Sequence, residues 1–570
     1  MNPNFIPLAI AAAVAAAFVL PRAHRRLQLS RAKHRSLAGH SRMAKRVASL
    51  IPGFTYGPDR FFDVDGAPAD VVARRRAGFD ALSSTFTARY ASTVAMTRQA
   101  RDGLSDLQFT SRYRVPFPFS SVVRERLAVG SFLKSADGVQ VEDLDGNRLY
   151  DLTGSYGVNV LGVDAYKECI DEAVAMARPL GPVLGSYHPC VLDNVERLKA
   201  ISGLDEVSFH MSGTEAVMQA VRLARYHTGK RRLVRFCGAY HGWWEDVQPG
   251  PGNPLPPRDT LTLRDLHERS LAVLATRDDI ACVLVNPLQA LHPNRNAPGD
   301  SSLVVQRRGA AFDREAYATW LAHLRNVCEQ RGIVLIFDEV FVGFRLAPGG
   351  AQEYFGVRAD LVTYGKTLGG GLPVGVVCGR GELMKRYRDD RPADVCFARG
   401  TFNSHPYVMA AMNAFLRRLE RPETQRLYDG LDERWNTRAA RLNDALATAG
   451  VPVRVANLST IWTVSFEGPS RYHWMLQFYL REQGLALSWV GTGRLIFSLD
   501  YDEAQFDAVL KAFVAGATKM SNDGWWWRDP ASTPWRVGRG FLADVLRERF
   551  GLRGRMVGVD VPHRVDPLAS

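Results

Sequence analysis

The stretch IVLIFDE, residues 333–339, predicts a buried strand that ends in two carboxylates. A continuous apolar run of this length is typical of a strand covered on both faces of a sheet. Similar runs lie before and after it, and helical patterns closed by glycine separate them. The runs are 206–210, 232–236, 281–285, 333–337 and 361–364. This alternation predicts an α/β fold with a mostly parallel sheet and helices on both faces.

Asp338, at the end of the quoted stretch, is a candidate ligand-binding residue. Parallel sheets hold ligands at the carboxyl ends of their strands, and Asp338 would lie there. A buried carboxylate needs a partner for its charge. The alternative is that this carboxylate only caps the next helix.

Lys366 lies 28 residues later in YGKTLGGGLP, residues 364–373. It follows another apolar run and precedes a glycine loop. Desolvation at such a position lowers the pKa of a lysine and makes it a candidate for Schiff-base chemistry. The glycine run has neither the spacing of a dinucleotide site nor the ending of a P-loop.

Ser212-Gly213-Thr214 directly follows the run 206–210 and opens a helical pattern. Free backbone N–H groups and the helix dipole at such a start favour a phosphate. A simple helix cap is the alternative. Together, a phosphate cradle, a strand-end aspartate and a lysine are the parts that pyridoxal phosphate requires. The lysine forms a Schiff base, and the carboxylate keeps the pyridine nitrogen protonated.

Five motifs resemble those of the class III pyridoxal-phosphate aminotransferases, above all the glutamate-1-semialdehyde 2,1-aminomutases and their relatives. They are GVQVEDLDGNRLYDLTGSYGVNVLG (138–162), SGTEAVMQAVRLARYHTGKRRLVRFCGAYHGWW (212–244), IFDEVFVGFR (336–345), DLVTYGKTLGGGLPVG (360–375) and RGTFNSHP (399–406). The resemblance implies a fold-type I, aspartate-aminotransferase-like α/β architecture and a homodimer with shared active sites. It also implies transfer of an amino group between a small-molecule amine donor and a carbonyl acceptor, or within one molecule.

The resemblance implies a role for each matched residue. The implied cofactor-binding set is Ser212, Gly213, Thr214, Tyr240, His241, Asp338, Val340, Lys366 and Thr401. Lys366 and Asp338 are the implied catalytic residues. Tyr240 and Val340 would pack on opposite faces of the pyridine ring, and Thr401 would reach the phosphate of the neighbouring subunit. For His241, a core position is an equal alternative.

Two departures from the family pattern concern the substrate side. Asn286 stands where the family usually has glutamate, and Phe341 where glutamine is frequent. The arginine for a substrate carboxylate stays open among Arg114, Arg124 and Arg345. The departures are also the only support for a rival function, a non-catalytic membrane-tethered scaffold.

The N-terminus predicts a membrane anchor. Residues 1–21 carry no charge, and nine basic residues without an acid follow in 22–46. The apolar run 5–20 would span about 24 Å as a helix, near the lower limit for a bilayer. The positive charge after the run would leave the catalytic part in the cytoplasm. A helix packed on the protein and a cleaved leader are the alternatives.

The basic excess is local and disfavours nucleic-acid binding. The formal net charge is +13, from 72 basic and 59 acidic residues. Without the nine cations of 22–46, 63 basic residues face 59 acidic ones, which leaves +4. Seven scattered cysteines with no Cys-x-x-Cys pair also argue against a disulfide framework and a zinc site.

The composition changes along the chain predict six segments. The anchor (1–21) and a basic helical extension (22–115) come first. A small domain (116–190 and 401–523) would flank the large cofactor domain (191–400). The tail 524–570 holds a tryptophan triplet, which is either a packing strap or a membrane contact.

Overall fold

The computed structural model describes residues 5–34, 37–255, 258–287, 313–488 and 494–551, without the side chains of 5–13, 15 and 38. The strands in this part of the chain are β1 (Leu133–Asp137), β2 (Gln140–Asp143), β3 (Arg148–Asp151), β4 (Glu206–His210), β5 (Arg232–Phe236), β6 (Thr260–Leu263), β7 (Ile280–Val285), β8 (Val334–Asp338), β9 (Leu361–Gly365), β10 (Gly375–Gly379), β11 (Val453–Leu458), β12 (Ile461–Phe466), β13 (Leu485–Ala486) and β14 (Arg494–Ile496).

The helices of the same residues are α1 (Phe5–Ala32), α2 (Ser41–Leu50), α3 (Ala69–Arg89), α4 (Ala91–Arg101), α5 (Ser105–Tyr113), α6 (Ser120–Arg126), α7 (Val163–Ala177), α8 (Cys190–Ser202), α9 (Gly213–Thr228), α10 (Glu268–Thr276), α11 (Arg314–Arg331), α12 (Gly350–Phe355), α13 (Gly381–Met384), α14 (Pro406–Leu419), α15 (Pro422–Gln425), α16 (Leu431–Thr448), α17 (Leu476–Glu482), α18 (Glu503–Asn522) and α19 (Pro534–Arg549).

A seven-stranded sheet with the order β4-β10-β9-β8-β7-β5-β6 forms the centre of the fold. All its strands are parallel except β10, which runs antiparallel to β4 and β9. Each of the five predicted apolar runs is a strand of this sheet, so the α/β prediction is confirmed. The direction of β10 follows from its connection, because the nine residues 366–374 are too few for a parallel crossover.

The sheet direction brings the predicted motifs to one edge. Because β8 and β9 are parallel neighbours, Asp338 and Lys366 both lie at their carboxyl ends. β4 ends at the same edge, and α9 starts there with Ser212 as its N-terminal cap. The three motifs therefore meet although more than 150 residues separate the first from the last.

Two smaller sheets flank the central one. β1, β2, β3 and β13 form a four-stranded sheet, and β11, β12 and β14 form a three-stranded one. β2 and β3 are antiparallel neighbours joined by residues 144–147. Since β13 pairs with β3 in parallel, the chain before the central sheet shares a sheet with the chain after it.

The first residue of the tryptophan triplet is part of a packing strap. Trp525 is fully buried, and its ring centroid lies 6.0 Å from that of Phe62 and 6.5 Å from that of Phe79. Phe79 belongs to α3, which with α4 forms the helical extension predicted from the sequence. The tail therefore packs on the N-terminal extension, whereas Trp535 further on is exposed.

A buried ion pair also ties the two ends to the body. Arg471 donates from a guanidinium N–H to Asp544 of α19 at 2.9 Å, and both side chains are nearly inaccessible. The hydroxyl of Tyr56 donates to the same carboxylate at 2.8 Å. Asp544 thus connects the C-terminal helix, the N-terminal extension and the loop before α17.

The N-terminal helix does not stop at the end of its apolar run. α1 continues through Pro21 to Ala32, and its last turns dock on α10, where Thr276 donates to Gln28 Oε1 at 3.0 Å. Among the residues that the structure describes, no helix is long and apolar enough to cross a membrane. The described residues thus do not support the predicted anchor 1–21, of which residues 1–4 and the side chains of 5–13 and 15 lie outside them.

The cysteines agree with the sequence-based expectation. All seven are described, buried and free of disulfide bonds. Burial raises the pKa of Cys282 to about 12 and that of Cys169 to about 11. Such thiols are protonated at neutral pH and act as small core residues.

Candidate active site

A cavity of about 1650 Å³ opens at the carboxyl edge of the central sheet. Eight of the nine residues predicted for the cofactor site line it, and they are Ser212, Gly213, Thr214, Tyr240, His241, Asp338, Val340 and Lys366. Thr401, the ninth, is exposed and is not part of the lining. The sequence motifs thus converge on one cavity.

Asp338 is held in place by three hydrogen bonds. The side chain is only 3% exposed, so its charge needs partners. Its Oδ2 accepts from His241 Nδ1–H at 2.7 Å, and its Oδ1 accepts from the backbone N–H of Val340 and the hydroxyl of Thr363, both at 3.2 Å. The predicted need for a partner is met chiefly by His241.

His241 is a fully buried neighbour of this carboxylate. Burial lowers the pKa of His241, and the hydrogen bond to Asp338 opposes that shift. Its Nε2 has no hydrogen-bond partner among the described residues. A neutral imidazole that donates from Nδ1 to Asp338 fits both observations. His241 therefore orients the carboxylate.

Lys366 follows β9 with a backbone φ of +48°, in the left-handed region. A residue with a side chain costs about 1–3 kcal/mol there, and such strain concentrates at functional sites. Burial lowers the pKa of the Lys366 amine, while the charge of Asp338 raises it. Burial thus favours the neutral form of this amine more than in a lysine at the surface.

Phe341 forms a wall of the cavity between several cations. Lys366 Nζ lies 5.6 Å from its ring centroid, and the guanidinium carbons of Arg345 and Arg494 each lie 5.8 Å away. A ring face attracts cations, so Phe341 stabilises positive charge without neutralising it. The residue that departs from the family pattern thus keeps this side of the cavity apolar and cationic.

The cradle at the start of α9 leaves little room around its backbone. Ser212 Oγ accepts from the N–H of Glu215 at 3.2 Å, so the helix-cap alternative is correct for this side chain. A Cβ on Gly213 would lie 2.7 Å from Val340 Cγ1. Only a glycine lets the backbone approach Val340 this closely. The same residues line the cavity, so capping and ligand binding are compatible here.

The three arginines left open for a substrate carboxylate are not among the residues that line the cavity. Arg345 is completely buried, and its guanidinium donates to Thr460 Oγ1 at 2.9 Å and to the carbonyl of Phe497 at 2.7 Å. Through these hydrogen bonds, Arg345 joins the loop after β8 to the three-stranded sheet. Arg114 lies at the end of α5 and Arg124 lies in α6, outside the lining.

Arg494 is an arginine of the cavity lining that the sequence analysis did not single out. It opens β14, lines the cavity and has no carboxylate partner among the described residues. Burial lowers its pKa to about 10, so it stays charged at neutral pH. The only signal in the sequence was an isolated arginine ahead of the short apolar run LIF.

The family model described as Aminotransferase class-III matches residues 122–245 and 305–515. This covers more than half of the chain. The chain belongs to the class III aminotransferase family. As a class III aminotransferase it is an enzyme that depends on pyridoxal 5′-phosphate.

Known relatives agree with this assignment. The glutamate-1-semialdehyde 2,1-aminomutase of Geotalea daltonii is 32% identical over 395 residues, which cover 65% of this chain and 85% of that protein. A solved transaminase with PLP bound is 26% identical at a TM-score of 0.59, covering 76% of this chain and 97% of that one. A β-phenylalanine aminotransferase from Variovorax paradoxus is 27% identical at a TM-score of 0.60, covering 77% and 96%.

The cavity of this class III aminotransferase fits the cofactor. Its volume exceeds the roughly 300–1000 Å³ of ordinary ligand pockets, so cofactor and substrate have room together. A buried carboxylate, a desolvated lysine and an uncovered helix start lie on its walls. These are the groups that a protonated pyridine nitrogen, an aldehyde and a phosphate require.

Proposed function

We propose that the enzyme moves an amino group on a substrate that carries a carboxylate, as an aminotransferase or a 2,1-aminomutase. The observation that carries this proposal is one cavity with Lys366, the Asp338–His241 pair and the unpaired cation of Arg494 on its walls. Lys366 and Asp338 supply the chemistry, and Arg494 selects the substrate. The intact pair disfavours the non-catalytic scaffold.

The roles of the chain's residues follow from their positions. The N–H groups at the start of α9 bind the phosphate, and Asp338 pairs with the ring nitrogen. Tyr240 and Val340 pack on the two faces of the ring. When bound, pyridoxal phosphate withdraws electrons from the carbon that bears the amine. Residues of the chain supply the remaining functions.

Lys366 acts as both the attachment point and the proton carrier. Its lowered pKa gives it a neutral amine that can attack an aldehyde carbon. The same nitrogen, once free, accepts a proton from the substrate carbon and returns it to a neighbouring atom. Phe341 lies beside this amine and excludes water from one side of it.

The test of this function is an absorbance titration of the purified enzyme with a panel of amines. An amino donor is expected to abolish the visible band of the bound cofactor, and a carbonyl acceptor is expected to restore it. Release of a keto product during the first half would identify an aminotransferase, whereas rearranged amine alone would identify an aminomutase. A band that no amine and no amino acid alters would contradict the proposal.

Replacing Arg494 with methionine is expected to lower kcat/KM for carboxylate-bearing substrates by about tenfold to 150-fold. Charge-assisted hydrogen bonds to a guanidinium contribute about 1.5–3 kcal/mol. Amines without a carboxylate should be used as well as before, and Arg494→Lys should lose less than the methionine variant. Steady-state kinetics with paired substrates measures the difference. An equal loss for both substrate types would assign Arg494 to structure only.

Thr401 supports a proposal about assembly. It lies in an exposed loop next to Phe402, which is 49% exposed, and does not reach its own cavity. We propose that the enzyme is a homodimer in which Thr401 donates to the phosphate bound by the partner. The exposed rings of Tyr240 and Phe397 would be covered in that dimer.

Thr401→Ala is expected to weaken retention of the cofactor about tenfold while the protein stays dimeric. The variant removes one charge-assisted hydrogen bond and leaves the rest of the cradle intact. Dialysis followed by absorbance measures retention, and light scattering measures the mass. Thr401→Ser keeps the hydroxyl and should retain the cofactor. A monomer that holds the cofactor fully at micromolar concentration would refute this arrangement.

A further inference from the structure

Arg235 is a buried cation that has no role in the proposed function. It lies in β5, lines the same cavity and is 8% exposed. Among the described residues it has no carboxylate partner, and its Nε makes no hydrogen bond. Its one hydrogen bond runs from a terminal N–H to the carbonyl of Ala239 at a long 3.4 Å. Burial lowers its pKa to about 10, so it is charged at neutral pH.

The strand pattern places Arg235 on the face of the sheet that α9 covers. Leu233, two residues earlier in β5, packs in a cluster with Ala216 and Val217 from the first turns of α9. Because strand side chains alternate between faces, Arg235 lies on that same face, one step closer to the carboxyl edge. α9 begins at this edge. Its first residues and Arg235 line one cavity.

Two positive features therefore line one cavity, and no carboxylate of the described residues pairs with the guanidinium. The start of α9 carries the positive end of the helix dipole, and the guanidinium adds a full charge. The carboxylate of Asp338 is already bound by His241, and Glu245 on the cavity wall forms no ion pair with Arg235. A buried guanidinium with free donors is expensive unless a ligand supplies the counter-charge. A dianionic oxyanion satisfies both features at once.

We propose that Arg235 binds the phosphate group of pyridoxal 5′-phosphate from beneath the start of α9. The backbone N–H groups of Gly213 and Thr214 hold the phosphate from one side, and the guanidinium holds it from the other. Arg235 is then a cofactor-binding residue, and much of the preference for the phosphorylated cofactor depends on it. This inference rests on the cofactor of the family and not on the proposed substrate.

The experiment compares two ligands on the apoenzyme. Quenching of tryptophan fluorescence gives the dissociation constants of pyridoxal 5′-phosphate and of pyridoxal, which lacks the phosphate. In Arg235→Met the preference for the phosphorylated form is expected to fall by about 10–100-fold, with pyridoxal affinity within threefold of the unaltered enzyme. Arg235→Lys keeps the charge and should retain most of the preference. An equal loss for both ligands, or an unchanged ratio, would overturn the proposal.

Two further measurements distinguish the cofactor phosphate from a substrate anion and stay informative if a variant does not fold. If Arg235→Met leaves the ligand ratio unchanged but raises KM for the amine substrate, Arg235 serves a substrate anion and the proposal is wrong. Inorganic phosphate is expected to raise the Tm of the unaltered apoenzyme more than chloride at equal ionic strength, and less so in Arg235→Lys. The absence of any phosphate effect on the unaltered apoenzyme would overturn the proposal even if the methionine variant does not fold.

Discussion

Replacing Lys366 with alanine is expected to lower amino transfer by about four orders of magnitude. The alanine has neither the nucleophile for the cofactor aldehyde nor the base that moves the substrate proton. Non-covalent cofactor binding should persist, because the cradle at Ser212, Gly213 and Thr214 does not depend on the lysine. Alanine keeps a Cβ, so the left-handed backbone at position 366 is as strained in the variant as in the unaltered enzyme, and the fold should be maintained.

Borohydride reduction followed by peptide mapping checks the assignment independently of activity. The reduced cofactor should be found on Lys366 in the unaltered enzyme and nowhere in Lys366→Ala. Lys385→Ala is a suitable control, because Lys385 is a surface residue paired with Asp389. Added methylamine should restore part of the activity of Lys366→Ala by carrying protons. A label on any other lysine would overturn the mechanism.

Replacing Asp338 with asparagine is expected to slow amino transfer about 100–1000-fold while the covalent link to Lys366 still forms. The amide keeps the shape of the carboxylate, and its oxygen can still accept from His241 Nδ1–H. A neutral amide no longer favours a protonated ring nitrogen, so electron withdrawal from the substrate weakens. The effect should appear in kcat, with the KM of the donor nearly unchanged.

The matched control for Asp338→Asn is Thr363→Val, which deletes the 3.2 Å hydrogen bond to Asp338 Oδ1 but leaves the charge. It should cost less than tenfold in kcat. Rapid-mixing absorbance follows the half-reaction with the donor, and thermal unfolding verifies that both variants are folded. Two variants with equal kcat would mean that position, and not charge, is the contribution of Asp338.

The central sheet could be predicted from the sequence because burial on both faces produces continuous apolar runs. The strands β5 and β8 illustrate this, since RLVRF and VLIFD match their runs within one residue. β6 and β10 were missed. TLTL alternates polar and apolar residues over only four positions, and GVVCG begins and ends in glycine next to a glycine loop. Their pairing partners, and not their own composition, make them strands.

The residues of the candidate site could also be predicted only in part. Ser212, Asp338 and Lys366 stand in contiguous motifs, so local sequence was enough to find them. Arg494 and Arg235 stand out because no carboxylate of the described residues pairs with them. The fold decides which residues lie near an arginine, so local sequence could not show this. The partners of Arg345 were equally invisible to local sequence, since Thr460 and Phe497 lie more than 100 residues further along the chain.

The carboxylate of Asp544 makes the two terminal additions interdependent. The family match ends at residue 515, whereas Arg471 inside the match has its counter-charge at position 544, in the added tail. Deleting that tail alone would leave the buried guanidinium of Arg471 without its counter-charge, a change that typically costs about 3–5 kcal/mol. Deleting residues 1–56 alone would remove the Tyr56 hydroxyl and expose the other side of the Asp544 carboxylate. The two ends therefore depend on each other for stability through a single carboxylate.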